Sequence, residues 1–210
     1  MNSATQKISL HGGAGPIEAL LDLPTGEPRG TAVIAHPHPL FGGTMTNKVV
    51  QTLARAFVQT GWRVVRFNFR GVGASAGAYD EGRGEAADMQ DVIRQVAPEG
   101  ALAVAGFSFG AFVTSHVVAE LAPRQPEKIV LVGTAASRFA VAPIASDLHE
   151  RTLVLHGEQD DTVVLSSVMD WARPQSLPVT VIPGVEHFFH GQLPLLKSLV
   201  VRHLLVPSQA

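Results

Sequence analysis

Short apolar runs alternate along this chain with stretches whose apolar positions recur every three to four residues. TAVIAH (31–36) is β-branched and apolar and runs into prolines, which reads as a buried strand. WRVVRFNF (62–69), ALAVAGF (101–107), KIVLVG (128–133), RTLVLHG (151–157) and LPVTVIPG (177–184) share that character. Between them, Val49, Val50, Leu53, Ala54 and Phe57 keep helical spacing until Gly61 stops it. Met89, Val92, Ile93 and Val96 mark a second helix, GAFVTSHVVAEL (110–121) a third, and segments near 163–173 and 191–205 two more. Ahead of these, KISLHG and PIEALLDLP fit an antiparallel pair of strands. About eight strands interleaved with helices imply an α/β fold, a mostly parallel sheet covered on both faces. No repeat or composition shift divides residues 1–210, so one domain is expected.

Composition narrows the options. Hydrophobic residues make up 46% of the 210 and charged residues 16%, against a usual charged share of about 25%. The net charge of −2 comes without a basic block, so a nucleic-acid partner has no electrostatic support. The chain has no cysteine, which excludes disulfides, thiolate metal sites and a thiol nucleophile, and fits a cytoplasmic setting. MNSATQKISLHGG lacks the pattern of a signal peptide. Lys197 and Arg202 interrupt the apolar stretch near the C-terminus, so no membrane span is expected.

The sharpest chemical signal is Gly106-Phe107-Ser108-Phe109-Gly110, a G-x-S-x-G run where a strand meets a helix. On such a turn the serine hydroxyl stands above the sheet, and the following helix aims its N-terminus at developing negative charge. A chance match to three fixed positions is the bland alternative, and the strand–turn–helix setting weakens it. A serine needs a base to accept its proton, and the base needs an acid to orient it. With an elbow of this kind the partners follow in the order acid, then histidine. RTLVLHG leads into Glu158-Gln159-Asp160-Asp161, and LPVTVIPG leads into Glu186-His187-Phe188-Phe189-His190. Both lie at carboxyl ends of strands, where parallel-sheet sites assemble. Asp160 and His187 are the preferred acid and base. Asp161 and His190 remain competitors, and either aspartate fits a solvated loop as well.

The first core strand runs into His36-Pro37-His38-Pro39-Leu40-Phe41-Gly42-Gly43. Backbone N–H groups that hold an oxyanion are expected from Phe109 and from this loop. Prolines have no N–H, which leaves His38, the preferred donor, or Leu40. His36 and His38 raise the thought of a metal, yet no third ligand stands at suitable spacing, so no metal and no cofactor are expected. His36 fits better as a buried brace. RGVGASAG (70–77) lacks the spacing of a phosphate-binding loop and reads as a tight turn beside the site, with Arg70 paired to a carboxylate or carbonyl. Leu40, Phe107 and Phe188 are expected to line an acyl pocket, with Phe109 and Phe189 as further candidates, although any of these rings serves equally well as core.

Together these residues resemble the α/β-hydrolase superfamily, and more narrowly the small lidless bacterial serine hydrolases that carry an HPHPLFGG loop. HPHPLFGG, NFRGVGASAG, GFSFG, HGEQDDTV and GVEHFFHG carry the likeness. The superfamily's H-G-x-x-D-x-x-V pattern, laid on His156 to Val163, selects Asp160, and its histidine falls on His187. His36-Pro37 departs from the His-Gly that many members show at the oxyanion loop. A cap commonly interrupts this fold after the sixth strand. Here only Thr134 to Glu150 separates the strands, too little for one. The resemblance implies an α/β-hydrolase fold and a Ser-His-Asp triad, and because an interval without a cap leaves little apolar surface for a long chain, a serine hydrolase that cleaves short- to medium-chain acyl esters is expected. Its substrate is then a small acyl compound. A thioesterase, peptidase or perhydrolase would use the same triad, and a non-catalytic binding protein would have no need of all three residues. A dinucleotide enzyme would require a cofactor. The oligomeric state is not legible.

Overall fold

The computed structural model describes residues 5–207. The elements run β1 (Gln6–Gly12), β2 (Gly15–Asp22), β3 (Thr31–Ala35), α1 (Lys48–Gln59), β4 (Arg63–Phe67), α2 (Arg83–Val96) and β5 (Leu102–Phe107). They continue through α3 (Phe109–Glu120), β6 (Lys128–Val132), β7 (Thr152–Gly157), α4 (Leu165–Ala172), β8 (Val179–Ile182) and α5 (Leu193–Leu205). The eight strands form one sheet in the order β1-β2-β4-β3-β5-β6-β7-β8. β1 pairs antiparallel with β2 and β2 with β4, and the remaining pairs are parallel. This is the α/β-hydrolase fold, with no cap among the described residues.

Alternation along each strand divides the core into two layers. Ala32 and Ile34 of β3 face α1 and α5, packed with Leu53, Phe57, Val200 and Leu204. Val33 and Ala35 face the other way, among Met89 and Val92 of α2 and Val113 and Val117 of α3. Both faces of β3 are covered, which explains why TAVIA is buried throughout and apolar after Thr31. The strand expected over 62–69 ends at Phe67; the Asn68 N–H still reaches Glu18 O of β2 at 2.8 Å, while the Asn68 side chain and the Phe69 backbone brace loops. Asn68 Oδ1 accepts the Met45 N–H, and the Phe69 N–H goes to His36 Nε2.

β3 lies at the centre of the chain's reversal: the next strand joins it on one side and β5 on the other. The carboxyl ends of β3 and β5 therefore part above a crevice, where ligands bind in sheets of this kind.

Candidate active site

The turn between β5 and α3 is built by two close approaches. A Cβ on Gly106 would stand 2.2 Å from Gly110 O, and one on Gly110 would stand 2.4 Å from Ala35 O. Nothing larger than glycine fits either place, so the chain crosses itself tightly. Ser108 sits at the bend with φ 56° and ψ −115°, a conformation L-residues rarely adopt, at a cost of about 1–3 kcal/mol. Core packing of β5 and α3 sustains that strain.

Ser108 Oγ lies 3.0 Å from His187 Nε2, and His187 Nδ1 lies 2.6 Å from Asp160 Oδ2. Asp160 is held from behind: its Oδ1 accepts the N–H groups of Thr162 at 3.0 Å and Val163 at 2.7 Å. All three residues of this chain are buried. Asp161 is exposed and accepts from the Thr162 hydroxyl at 3.4 Å, with no bond to His187. His190 is 72% exposed in its side chain and pairs with Glu186 Oε1 at 2.9 Å, so neither competitor joins the chain.

His36 is fully buried. Its Nδ1–H donates to Pro37 O at 2.6 Å and its Nε2 accepts the Phe69 N–H at 3.0 Å, tying the ends of β3 and β4 together. Burial pushes its pKa down to about 4, so it is neutral in the fold, and both ring nitrogens are occupied by the backbone. Among the described residues no group of three or more histidine, aspartate or glutamate side chains converges as metal ligands do. His38 Nδ1 accepts the Leu40 N–H at 3.2 Å, capping a short helical turn over Pro39–Phe41. Leu40 N–H is thereby engaged. The N–H groups of His38 and Phe109 have no protein acceptor among the described residues.

A cavity of about 250 Å³ opens over Ser108 and His187, with Pro37, His38, Phe41, Gly42, Gly43, Asn47, Arg138, Thr162 and Phe188 in its walls. This corrects the expected pocket. Phe107 is fully buried beneath His187, its ring 4.9 Å away, because it shares the inward face of β5 with Ala103 and Ala105. The Phe109 and Phe189 rings are likewise core. Leu40 is 66% exposed and lies outside the lining, while Phe188 is in it. Sequence reasoning missed Phe41, Asn47, Arg138 and Thr162. Phe41 lay inside the loop singled out, and Arg138 follows the carboxyl end of β6, where that rule for strand ends points. Arg70 pairs with Asp88 through two nitrogens, at 3.0 and 2.8 Å, and fixes the RGVGASAG turn. That turn meets β2 through Ala76 N–H and Pro16 O rather than the cavity. A second cavity of about 280 Å³, lined by Asp22, Arg55, Arg66 and Lys197 among others, shares no residue with the first.

Fold and site together make this chain a serine hydrolase of the α/β class. It belongs to the peptidase S15 family, X-Pro dipeptidyl-peptidase, whose model matches residues 17–161. It is 31% identical over 206 residues to an uncharacterized protein of Rickettsia prowazekii, covering 87% of this chain and 82% of that one. A Xanthomonas campestris structure, described as an α/β serine hydrolase without lid, matches with TM-score 0.86 and 33% identity over 100% of this chain and 99% of its own. An α/β serine hydrolase homologue from Coxiella burnetii matches with TM-score 0.80 and 37% identity over 95% of this chain and 97% of its own.

Proposed function

We propose that this chain is a carboxylesterase for small acyl substrates of short to medium length. The observation that carries the reading is the continuous chain from Ser108 Oγ through His187 to Asp160, at 3.0 and 2.6 Å, opening on the cavity. In this reading His187 Nε2 takes the Ser108 proton as Oγ attacks the acyl carbon. Asp160 keeps the other ring proton on Nδ1 and stabilises the imidazolium that forms. The oxyanion is received by the N–H groups of Phe109 and His38, which have no acceptor among the described residues, with the N-terminal end of α3 adding its dipole. His187 then protonates the leaving alcohol, and water, activated by the same ring, releases the acid from Ser108. Phe188 and Phe41 flank the acyl group. No step calls for a metal.

A cleft of 250 Å³ has room for roughly eight groups of the size of a water molecule, at about 30 Å³ each. That favours a small acyl group over a long lipid. The family match favours a second reading, cleavage after an X-Pro dipeptide with a free amino terminus. Such an ammonium needs a carboxylate, and no aspartate or glutamate is in the cavity's walls. The two readings separate on paired substrates. A fluorophosphonate should label Ser108, and nitrophenyl butyrate should be hydrolysed by the native chain and not by Ser108→Ala. Turnover of X-Pro nitroanilides with no turnover of the ester would replace the first reading by the second.

A further inference from the structure

Arg138 stands in the loop after β6, in the wall of the cavity that holds Ser108 and His187. Arg66, Arg70, Arg83, Arg94 and Arg173 each hold a carboxylate. The Arg138 guanidinium has no carboxylate partner among the described residues. It lies over the Phe41 ring instead, with Cζ 5.9 Å from the centroid, a contact that places it without neutralising it.

Arg138 also borders a hollow that includes Glu81, whose carboxylate pairs with Arg83 at 3.5 Å, and no ion pair joins Glu81 to Arg138 among the described residues. The ionisable groups of the cavity wall are Arg138, His38 and His187. An adjoining groove, which shares Gly42, Asn47 and Phe188 with the cavity, adds Lys48 and His190 and no carboxylate. The acids of the loops that carry the base and its acid are engaged elsewhere. Asp160 is bonded to His187, Glu186 holds His190 and the Phe188 N–H, and Asp161, itself in neither wall, accepts from the hydroxyl of Thr162 at the cavity's edge. The field of Arg138 is felt across the cavity: burial first, and then this guanidinium, hold His38 below its ordinary pKa.

We propose that the preferred esters carry a carboxylate, which Arg138 receives as the ester group lies over Ser108. The inference rests on the esterase reading above. A guanidinium and a carboxylate match as planar forks, two N–H groups to two oxygens, a geometry a lysine does not offer. Cavity size sets the separation. A sphere of 250 Å³ is about 8 Å across, so the carboxylate stands roughly five or six bonds from the scissile carbonyl. The same unpaired charge repels an ammonium at that place.

The test compares kcat/KM within two matched pairs after subtracting spontaneous hydrolysis. One pair is the nitrophenyl ester of hexanoate and the mono-nitrophenyl ester of adipate, with the charge on the acyl side. The other is the butyrate ester of para-hydroxybenzoate and that of its methyl ester, with the charge on the leaving side. Each ratio of anionic to neutral ester is read in the native chain and in Arg138→Gln, which cancels intrinsic differences in reactivity. In at least one pair the native ratio should exceed that of Arg138→Gln by about tenfold or more, and Arg138→Glu should lower it further. Arg138 is exposed, so these variants are expected to fold, and circular dichroism checks that. Ratios that are the same in native chain and Arg138→Gln for both pairs overturn the proposal. Failure of the native chain to hydrolyse any of the four esters faster than Ser108→Ala overturns the esterase reading, and the proposal with it.

Discussion

Replacing Asp160 by asparagine gives the most informative perturbation of the site, because the structure dictates how the new side chain must sit. Asp160 Oδ1 accepts two backbone N–H groups, from Thr162 at 3.0 Å and Val163 at 2.7 Å. An amide nitrogen there would face two donors, so the asparagine oxygen takes that place and its NH₂ takes the place of Oδ2. The NH₂ then points at His187 Nδ1, 2.6 Å from the original oxygen. Two donors cannot share that line, so the ring shifts its proton to Nε2. Nε2 is the atom 3.0 Å from Ser108 Oγ, and once protonated it no longer accepts the serine's proton. The variant keeps the loop's backbone bonds and therefore its fold, yet holds the wrong tautomer and lacks the charge that stabilises the imidazolium. A loss of roughly 10³- to 10⁴-fold in kcat/KM follows, or about 4–5.5 kcal/mol of transition-state stabilisation. Asp161→Asn disturbs only an exposed contact at 3.4 Å and should change the rate by less than about twofold. Both are measured on nitrophenyl butyrate beside thermal melts. Near-native activity in a folded Asp160→Asn, or the reverse ranking of the two variants, would refute the assignment.

Three further outcomes follow from the same geometry. Activity on nitrophenyl esters from acetate to palmitate should peak at short to medium length, since each methylene gains about 0.8 kcal/mol only while it is buried; a steady rise to palmitate would reveal an apolar channel. Gly110→Ala should lower stability by at least about 2 kcal/mol, or roughly 4–8 °C in Tm, because the new Cβ meets the Ala35 and His36 carbonyls at 2.4 and 2.5 Å; an unchanged melt would contradict that packing. Stability should fall as pH drops from 6.5 towards 4. The unfolded chain protonates His36 near 6.5 and the folded chain only near 4, so the neutral ring's contribution of about 3 kcal/mol is complete above 6.5 and lost below 4. His203, pushed down to about 4 chiefly by burial, adds a second proton to that slope. His36→Gln should remove one proton from the slope measured by denaturant titration at stepped pH, and an unaltered slope would show that His36 is not the group concerned.

How far the sequence reaches depends on how local each signal is. The elbow is legible because strand end, serine, helix start and both tight glycines fall within five consecutive residues. The helices and the parallel strands are legible because burial of both sheet faces enforces apolar runs between periodic stretches. Chain order and the strand-end rule then bring out Asp160 and His187 as candidates, although 79 residues separate His187 from Ser108. Side-chain direction is a different matter. Phe107 was expected in the pocket because it adjoins the serine, but the parity of β5 turns it into the lower core, and Phe188 and Phe189 likewise part to opposite sides. Which loop N–H groups stay free was settled by a three-dimensional detail, the His38 ring turning to accept the Leu40 N–H. The meeting of Arg138 with Phe41 over the cavity has no trace in local pattern, since they stand 97 positions apart, Phe41 at the end of a short helical turn and Arg138 in the loop after β6. The sequence by itself determined the periodicities and turn chemistry that place reactive groups at strand ends. Only the tertiary structure decided which faces those groups share, because that depends on how distant loops pack above the sheet.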